Sequence, residues 1–221
     1  MSLIVASVET ERPVVALTFD DGPDPKYTPL LLDVLDAESA TATFFVRGAA
    51  LGAETRKIVE RMDAAGHHVG NHTHHHSNLD GADTSTIDEE IARTHHVLEE
   101  ITGRPPTLLR PPYGLGAEAV SAVAERYGYR ATVLWSAWAF DWENPQSAAD
   151  VMVERVRNGY LNCGGVVPGG IVLMHDGCAP EQAGESRIET VETVRKLIPA
   201  LRAEGFRLVT VPELLDSSGV A

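Results

Sequence analysis

Val14-Val15-Ala16-Leu17-Thr18-Phe19-Asp20-Asp21-Gly22-Pro23 joins a nearly unbroken apolar run to two carboxylates and a turn. Residues 14–19 read as a strand, and Asp-Gly-Pro is ordinary turn chemistry. A second reading of the same residues divides labour between the carboxylates. Neighbouring side chains at a strand end diverge, so one can bind a metal while the other takes a proton from water.

Outward from this stretch, short apolar runs at 42–46, 67–71, 107–109, 130–134, 170–174 and 207–211 also read as strands. Between them lie segments of helical spacing, with apolar residues at 30, 31, 34 and 35, at 87, 91, 98 and 101, and at 188, 191, 194, 198 and 201. Ser85, followed by Asp88, Glu89 and Glu90, predicts a helix start. Gly66, Gly103 and Gly205 each follow a helical segment where a left-handed cap is expected. Alternation of strand and helix along the chain predicts an α/β fold, a distorted (β/α) barrel with about seven parallel strands. An open, doubly wound parallel sheet is the alternative. The expected domain runs over 14–216, with 1–13 as an N-terminal extension or cloning remnant and 217–221 as a tail.

Composition sets outer limits. The chain has 221 residues, 43% hydrophobic and 23% charged, which is globular and large enough for one domain of this class. Asp and Glu outnumber Lys and Arg 32 to 18, for a formal charge of −14. That field opposes a phosphate backbone, so no nucleic-acid partner is expected. No apolar run approaches the roughly 18 residues of a membrane span, so no membrane insertion is expected either. The first residues lack the pattern of a signal peptide, which predicts a cytoplasmic protein, or an extracellular one if a leader has been trimmed. Cys163 and Cys178 flank a strand roughly 17 Å long and are expected to be free thiols. Oligomeric state has no sequence signature here.

The chemistry-bearing residues recur at one place in the pattern, the carboxyl ends of the strands, where β/α folds build their sites. Asp20 and Asp21 follow the first strand. His72 and His76 lie four apart after the third, on one face if that segment turns helically, and with Asp21 make two imidazoles and one carboxylate for a cation with open positions. The alternative is a solvated histidine loop. His74 and His75 read as neighbours, and His67, His68, His95 and His96 as strand-edge and helix-surface residues. Arg110, in Arg110-Pro111-Pro112-Tyr113-Gly114, could hold a carboxylate ionised, and Tyr113 is the first backbone N–H after two prolines available to an oxyanion. Trp135, Trp138 and Trp142, gathered around Asp141, either pack the core or wall a pocket for a sugar ring or small acyl group. His175, ending Leu173-Met174-His175, either caps the sheet or acts as a general acid. Gly114-Leu115-Gly116 mimics a dinucleotide fingerprint but follows a double proline, not a strand.

Taken in order, Thr18-Phe19-Asp20-Asp21-Gly22-Pro23, His72-Thr73-x-x-His76, Arg110-Pro111-Pro112-Tyr113-Gly114, Asp141-Trp142 and Leu173-Met174-His175 resemble the five motifs of the polysaccharide deacetylases, the NodB-homology proteins of carbohydrate esterase family four. The resemblance implies a distorted β/α barrel and metal-dependent removal of acetyl groups from N-acetylated sugars such as chitin oligomers or peptidoglycan, or from acetylxylan. It implies Asp21, His72 and His76 as ligands of one divalent metal, usually zinc and sometimes cobalt or nickel. It implies Asp20 as base fixed by Arg110, and His175 as acid supported by Asp141. Trp142 and Leu173 would enclose the acetyl methyl, and the Tyr113 N–H would hold the oxyanion. Trp138 stands where the family usually has a second aspartate, and His74 where an aromatic is common, both changes that bear on the sugar subsite. Three other readings compete: a non-haem iron oxygenase, a serine hydrolase and a sugar-binding protein without catalysis. The first needs an all-β jelly roll and the second a Gly-x-Ser-x-Gly elbow absent from the chain. The third has no use for an acid and a base about a metal.

Overall fold

The computed structural model describes residues 3–143 and 146–217. Met1 and Ser2 of the expected extension and 218–221 of the expected tail lie outside the described residues. The first elements are β1 (Leu3–Val5), β2 (Val14–Asp20), α1 (Tyr27–Ala37), β3 (Thr43–Val46), α2 (Ala53–Ala64) and β4 (His68–Asn71). They continue with α3 (Thr84–Thr102), β5 (Leu108–Leu109), α4 (Ala117–Ala124), β6 (Ala131–Val133), β7 (Ala137–Trp138) and α5 (Ala149–Asn158). The last are β8 (Gly159–Tyr160), β9 (Cys163–Gly164), β10 (Gly170–His175), α6 (Ile188–Ala203), β11 (Arg207–Leu208) and α7 (Val211–Ser217).

Nine strands form one parallel sheet in the order β1-β6-β5-β4-β3-β2-β10-β7, with β11 beside the start of β2. The end strands β1 and β7 do not pair with each other among the described residues, so the sheet curls into a half-barrel with the helices outside it. The fold is the expected distorted (β/α) barrel, with two strands more than anticipated. Leu3–Val5, assigned from sequence to an extension ahead of the domain, pairs in parallel with β6. Ala137–Trp138 adds to β10. Runs this short carry no periodicity to read. The strand expected over 207–211 ends at Leu208, because Val211 already opens α7. β8 and β9 make a separate antiparallel hairpin.

β2 explains how the core positions the site. All seven of its residues are buried, because helices cover one face and the barrel interior the other. Val15, Leu17 and Phe19 point outward into a cluster with Leu31, Leu35 and Leu197 from the helices. Val14 and Ala16 point inward among Phe45, Val133 and Ile171, and α7 plugs this end of the barrel with Val211, Leu214 and Leu215. The period of two carries the inner row on through Thr18 to Asp20 at the rim. Phe19 stacks on Phe44 with ring centroids 5.2 Å apart. Phe19→Ala is expected to cost about 3–5 kcal/mol, read as a lower urea midpoint at unchanged slope.

The helices match their apolar spacing with small rotations. In α1, Leu30 is exposed and Leu32 takes its place inside. In α6, Ile188 is exposed while Val191, Val194, Ile198 and Leu201 are buried. The start of α3 lies before Ser85: Asp83 is the cap, accepting the Thr86 N–H at 2.8 Å. Gly66, Gly103 and Gly205 all have positive φ, as left-handed helix ends require. Both cysteines are free. No helix among the described residues is long and apolar enough to cross a membrane.

Candidate active site

The carboxyl ends of β2, β4 and β10 and the segments after β5 and β7 surround a cavity of about 300 Å³. Asp20 and Asp21 diverge at its floor because Asp21 has a φ of 72°, turning the chain as it leaves the sheet. The turn approaches β10 so closely that a Cβ on Gly22 would run into the Asp176 carboxylate. Asp20 Oδ1 accepts from Arg110 Nη1 at 2.8 Å. Arg110 lies inside the barrel with no solvent exposure. Its remaining donors reach Thr18 Oγ1, Val133 O and Leu134 O at 2.8, 3.1 and 3.0 Å, and its guanidinium lies 4.2 Å from the Phe45 ring centre. Burial raises the Asp20 carboxyl above its ordinary range, outweighing Arg110, His175 and His76, which favour its charge. Arg110 favours the ionised form, as anticipated, but complete desolvation outweighs it and raises the proton affinity of the Asp20 carboxylate.

Asp20 Oδ2 points the other way, 3.7 Å from His72 Nε2. His72 and His76 bring Nε2 to 3.6 and 3.3 Å from Asp21 Oδ1. The three donor atoms lie within 4.8 Å of one another and all three residues are buried. Among the described residues Asp21 Oδ1 has no hydrogen-bond donor, which for a buried carboxylate oxygen is costly unless a cation takes the place of one. Burial pulls His72 down to about 3, so its imidazole is neutral, and its Nδ1 sits 2.8 Å from Arg110 O, which leaves the Nε2 lone pair free for a ligand. Two imidazoles and a carboxylate at these positions fit one divalent metal.

The segment 72–76 is a bend, so the helical turn that would set the two histidines on one helix face does not form. Thr73 and His76 both have positive φ, at 61° and 66°. Contacts from α3 hold that conformation. Glu90 Oε2 accepts the N–H groups of His74 and His75 at 3.1 and 2.9 Å, and Oε1 lies 2.6 Å from His75 Nδ1. Thr94 Oγ1 donates to Thr73 O at 2.9 Å. Of seven non-glycine residues with positive φ among the described residues, five border this cavity or its loops: Asp21, Thr73, His76, Tyr113 and Phe140. Such strain persists only where the surroundings over-determine it, and it concentrates at functional sites.

On the far wall, Asp141 Oδ1 lies 2.8 Å from His175 Nδ1, and its Oδ2 accepts from the His175 backbone at 2.8 Å and from Thr190 Oγ1 at 2.9 Å. Burial alone would lower His175, but Asp141, aided by Asp21 and Asp20, reverses this and raises it to about 9. The imidazolium is therefore the form this wall holds. Trp138 stacks on Phe140 and faces Trp142 at 6.1 Å, with Trp135 edge-on at 5.5 Å, so the tryptophans wall the cavity beside Leu173. Tyr113 packs edge-on against His76 at 4.7 Å. Burial and the neighbouring Glu181 push its hydroxyl up to about 12, and it donates to Glu181 Oε1 at 2.9 Å.

Ten of the residues anticipated from sequence line this one cavity: Asp20, Asp21, His72, His76, Tyr113, Trp142, Leu173 and His175, with Trp135 and Trp138 in the wall. Arg110 and Asp141 stand directly behind Asp20 and His175. Not anticipated were Glu90 beneath the histidine bend, and Ala179, Glu181 and Gln182 on the wall after β10. Their segments carry no periodicity or motif that marks them. His67 and His95 differ from expectation in being buried, since the Ala42 N–H and the Tyr129 hydroxyl satisfy their Nδ1 atoms.

Residues 7–132 match the sequence profile of the family described as polysaccharide deacetylase. A peptidoglycan-N-acetylglucosamine deacetylase of Bacillus cereus is 36% identical over 94% of this chain and 91% of its own length. A chitooligosaccharide deacetylase of Sinorhizobium fredii is 34% identical over 92% of this chain and 93% of its own. Among solved structures, a peptidoglycan N-acetylglucosamine deacetylase in complex with a naphthalenyl N-oxidanyl-benzamide superposes with a TM-score of 0.83 at 32% identity, over 95% of this chain and 91% of the other.

Proposed function

The chain belongs to the polysaccharide deacetylase family and is a hydrolase acting on carbon–nitrogen bonds, and from that premise we propose that it removes the acetyl group from N-acetylated sugars by water attack on the acetamide. One observation carries the reading. Two oppositely dressed groups, Asp20 on Arg110 and His175 on Asp141, flank three buried donors that converge on one point. Asp21, His72 and His76 would hold a divalent metal, zinc before cobalt or nickel on donor type. Bound there, it would polarise the acetamide carbonyl and lower the pKa of water from about 15.7 towards about 7.

The chain's own groups supply the proton transfers. Asp20 Oδ2 takes the proton of the attacking water, while Oδ1 stays with Arg110, so the base is oriented as well as made stronger. His175 gives a proton from Nε2 to the departing amine, because Nδ1 is committed to Asp141. Trp142 and Leu173 enclose the methyl group, and the Tyr113 backbone N–H is the donor for the oxyanion, a contribution of roughly 3 kcal/mol.

The test is acetate release from N-acetylglucosamine oligomers and from acetylxylan, with chelated protein and after addition of zinc, cobalt or nickel. Release that chelation abolishes and metal restores is expected, greatest on the acetamide. Full activity after exhaustive chelation would remove the metal from the mechanism. No release from any substrate at one bound ion per chain would favour a sugar-binding protein instead.

A further inference from the structure

We propose that Glu181 makes the mouth of this site a charge filter, favouring glycans whose sugars beside the reacting acetamide carry a free ammonium and disfavouring those that carry a carboxylate. The proposal rests on the reading above that the pocket takes the acetamide of an amino sugar.

Glu181 belongs to the loop that leaves β10 straight after His175 and lines the cavity through Ala179, Glu181 and Gln182. That loop is anchored from beneath. Arg187 is fully buried and donates to Gly177 O at 2.8 Å, Gln182 Oε1 at 2.9 Å and Ser186 O at 3.3 Å. Gln182 in turn donates to Trp142 O at 2.7 Å, tying the loop to the tryptophan wall. The Tyr113 hydroxyl ties it to the other wall through Glu181 Oε1 at 2.9 Å, with the Tyr113 ring against His76. An exposed carboxylate held at both flanks is a fixed charge, not a wandering side chain.

The other carboxylates and the imidazoles lining the cavity are buried or nearly so and face partners. Asp20 faces Arg110, and Asp141 faces His175. Asp21 belongs to the cluster with His72 and His76. Two cations touch the loop among the described residues: Arg187, buried beneath it, and Arg47, which donates to Cys178 O at 3.3 Å and lines a separate cavity with Pro180. Glu181, whose bonded partner is the neutral Tyr113 hydroxyl, is therefore the exposed charge among the described lining residues that a sugar entering the mouth meets. Each deacetylation leaves an ammonium where an acetamide stood, so a chain already processed next door is attracted. A lactyl ether carboxylate on a neighbouring sugar is repelled. Because Glu181 is exposed, water and salt screen the effect to several-fold.

The experiment compares kcat/KM for the wild type, Glu181→Gln and Tyr113→Phe on three tetramers: fully acetylated, with one free amine beside an acetamide, and with one O-lactyl carboxylate there. Gln keeps an oxygen for the Tyr113 hydroxyl and removes the charge; Phe breaks the bridge and keeps the charge. In the wild type the amine tetramer is expected to exceed the carboxylate tetramer about tenfold at low salt, with the ratio shrinking at about 0.5 M salt. Glu181→Gln is expected to reduce that ratio about threefold to tenfold, and Tyr113→Phe to preserve most of it. An unchanged ratio in Glu181→Gln overturns the filter. If no tetramer is hydrolysed, the deacetylase reading fails by itself, and the filter is then read by calorimetry with a tetramer whose amines are all free. Weaker binding by Glu181→Gln supports the filter, and equal affinity overturns it.

Discussion

Asp20→Asn is expected to lower turnover by about 10²–10⁴-fold while the protein still binds one metal ion per chain. Asn keeps the shape of the side chain and an oxygen for Arg110 Nη1, but it cannot take a proton at the position of Oδ2. The effect on folding is smaller than the burial of Arg110 first suggests. The guanidinium loses its counter-charge but retains Thr18 Oγ1, Val133 O and Leu134 O. A stability cost of about 3 kcal/mol follows for breaking a buried pair, leaving a folded protein whose metal content and acetate release can both be measured. Loss of the metal in this variant would make Asp20 a ligand instead of a base. Activity within tenfold of wild type would show that the proton goes elsewhere.

What the sequence made legible, and what it hid, divides along the range of the contacts involved. β2 announces itself because both faces are buried, so its apolar run is continuous up to Asp20. The carboxylates and histidines were legible because strand ends in such folds converge, and only residue type and order had to be read. Their conformation was not. The bend at 72–76 is set by Glu90 and Thr94, on a helix well downstream, and the left-handed Thr73 and His76 leave no mark in local spacing. The proton affinity of Asp20 was hidden for a similar reason. Its partner Arg110 can be guessed from a motif, but the desolvation that outweighs this partner depends on the whole interior closing around both. Edge strands β1 and β7 are too short for periodicity and exist because β6 and β10 offer them open edges. The wall after β10 depends on Arg187, whose burial among carbonyl groups no exposed-arginine prior anticipates.

Asp141→Asn separates the strength of the acid at His175 from its position. In the wild type the Asp141 carboxylate overcomes burial and raises His175 to about 9, so the imidazolium persists through neutral pH. The raised value means that the pair stabilises the fold fully below the ordinary histidine range near 6.5, and that this contribution fades as pH climbs through about 9. Activity that needs the protonated ring should fall over the same alkaline window. Asn at 141 retains an acceptor for the His175 backbone or ring and contact with Thr190, but burial is then opposed by Asp21 and Asp20 alone and the proton affinity of the ring falls. At pH 8, where about nine-tenths of the wild-type rings are protonated, losing a neighbouring opposite charge is expected to lower the protonated fraction about tenfold. The profile of kcat/KM against pH should show its alkaline limb displaced downward by about one to three pH units, with activity partly recovered at lower pH. A uniform loss at every pH, with the limb still near 9, would mean that Asp141 only orients the ring. An alkaline limb that belongs to another group would not move at all, and His175 would then lose its role as the acid. The outcome also bears on Asp20, whose ionised form gains from the positive ring across the cavity. A neutral His175 raises that carboxyl further, so the acid limb of the variant should move upward as the alkaline limb moves down, narrowing the active range from both sides.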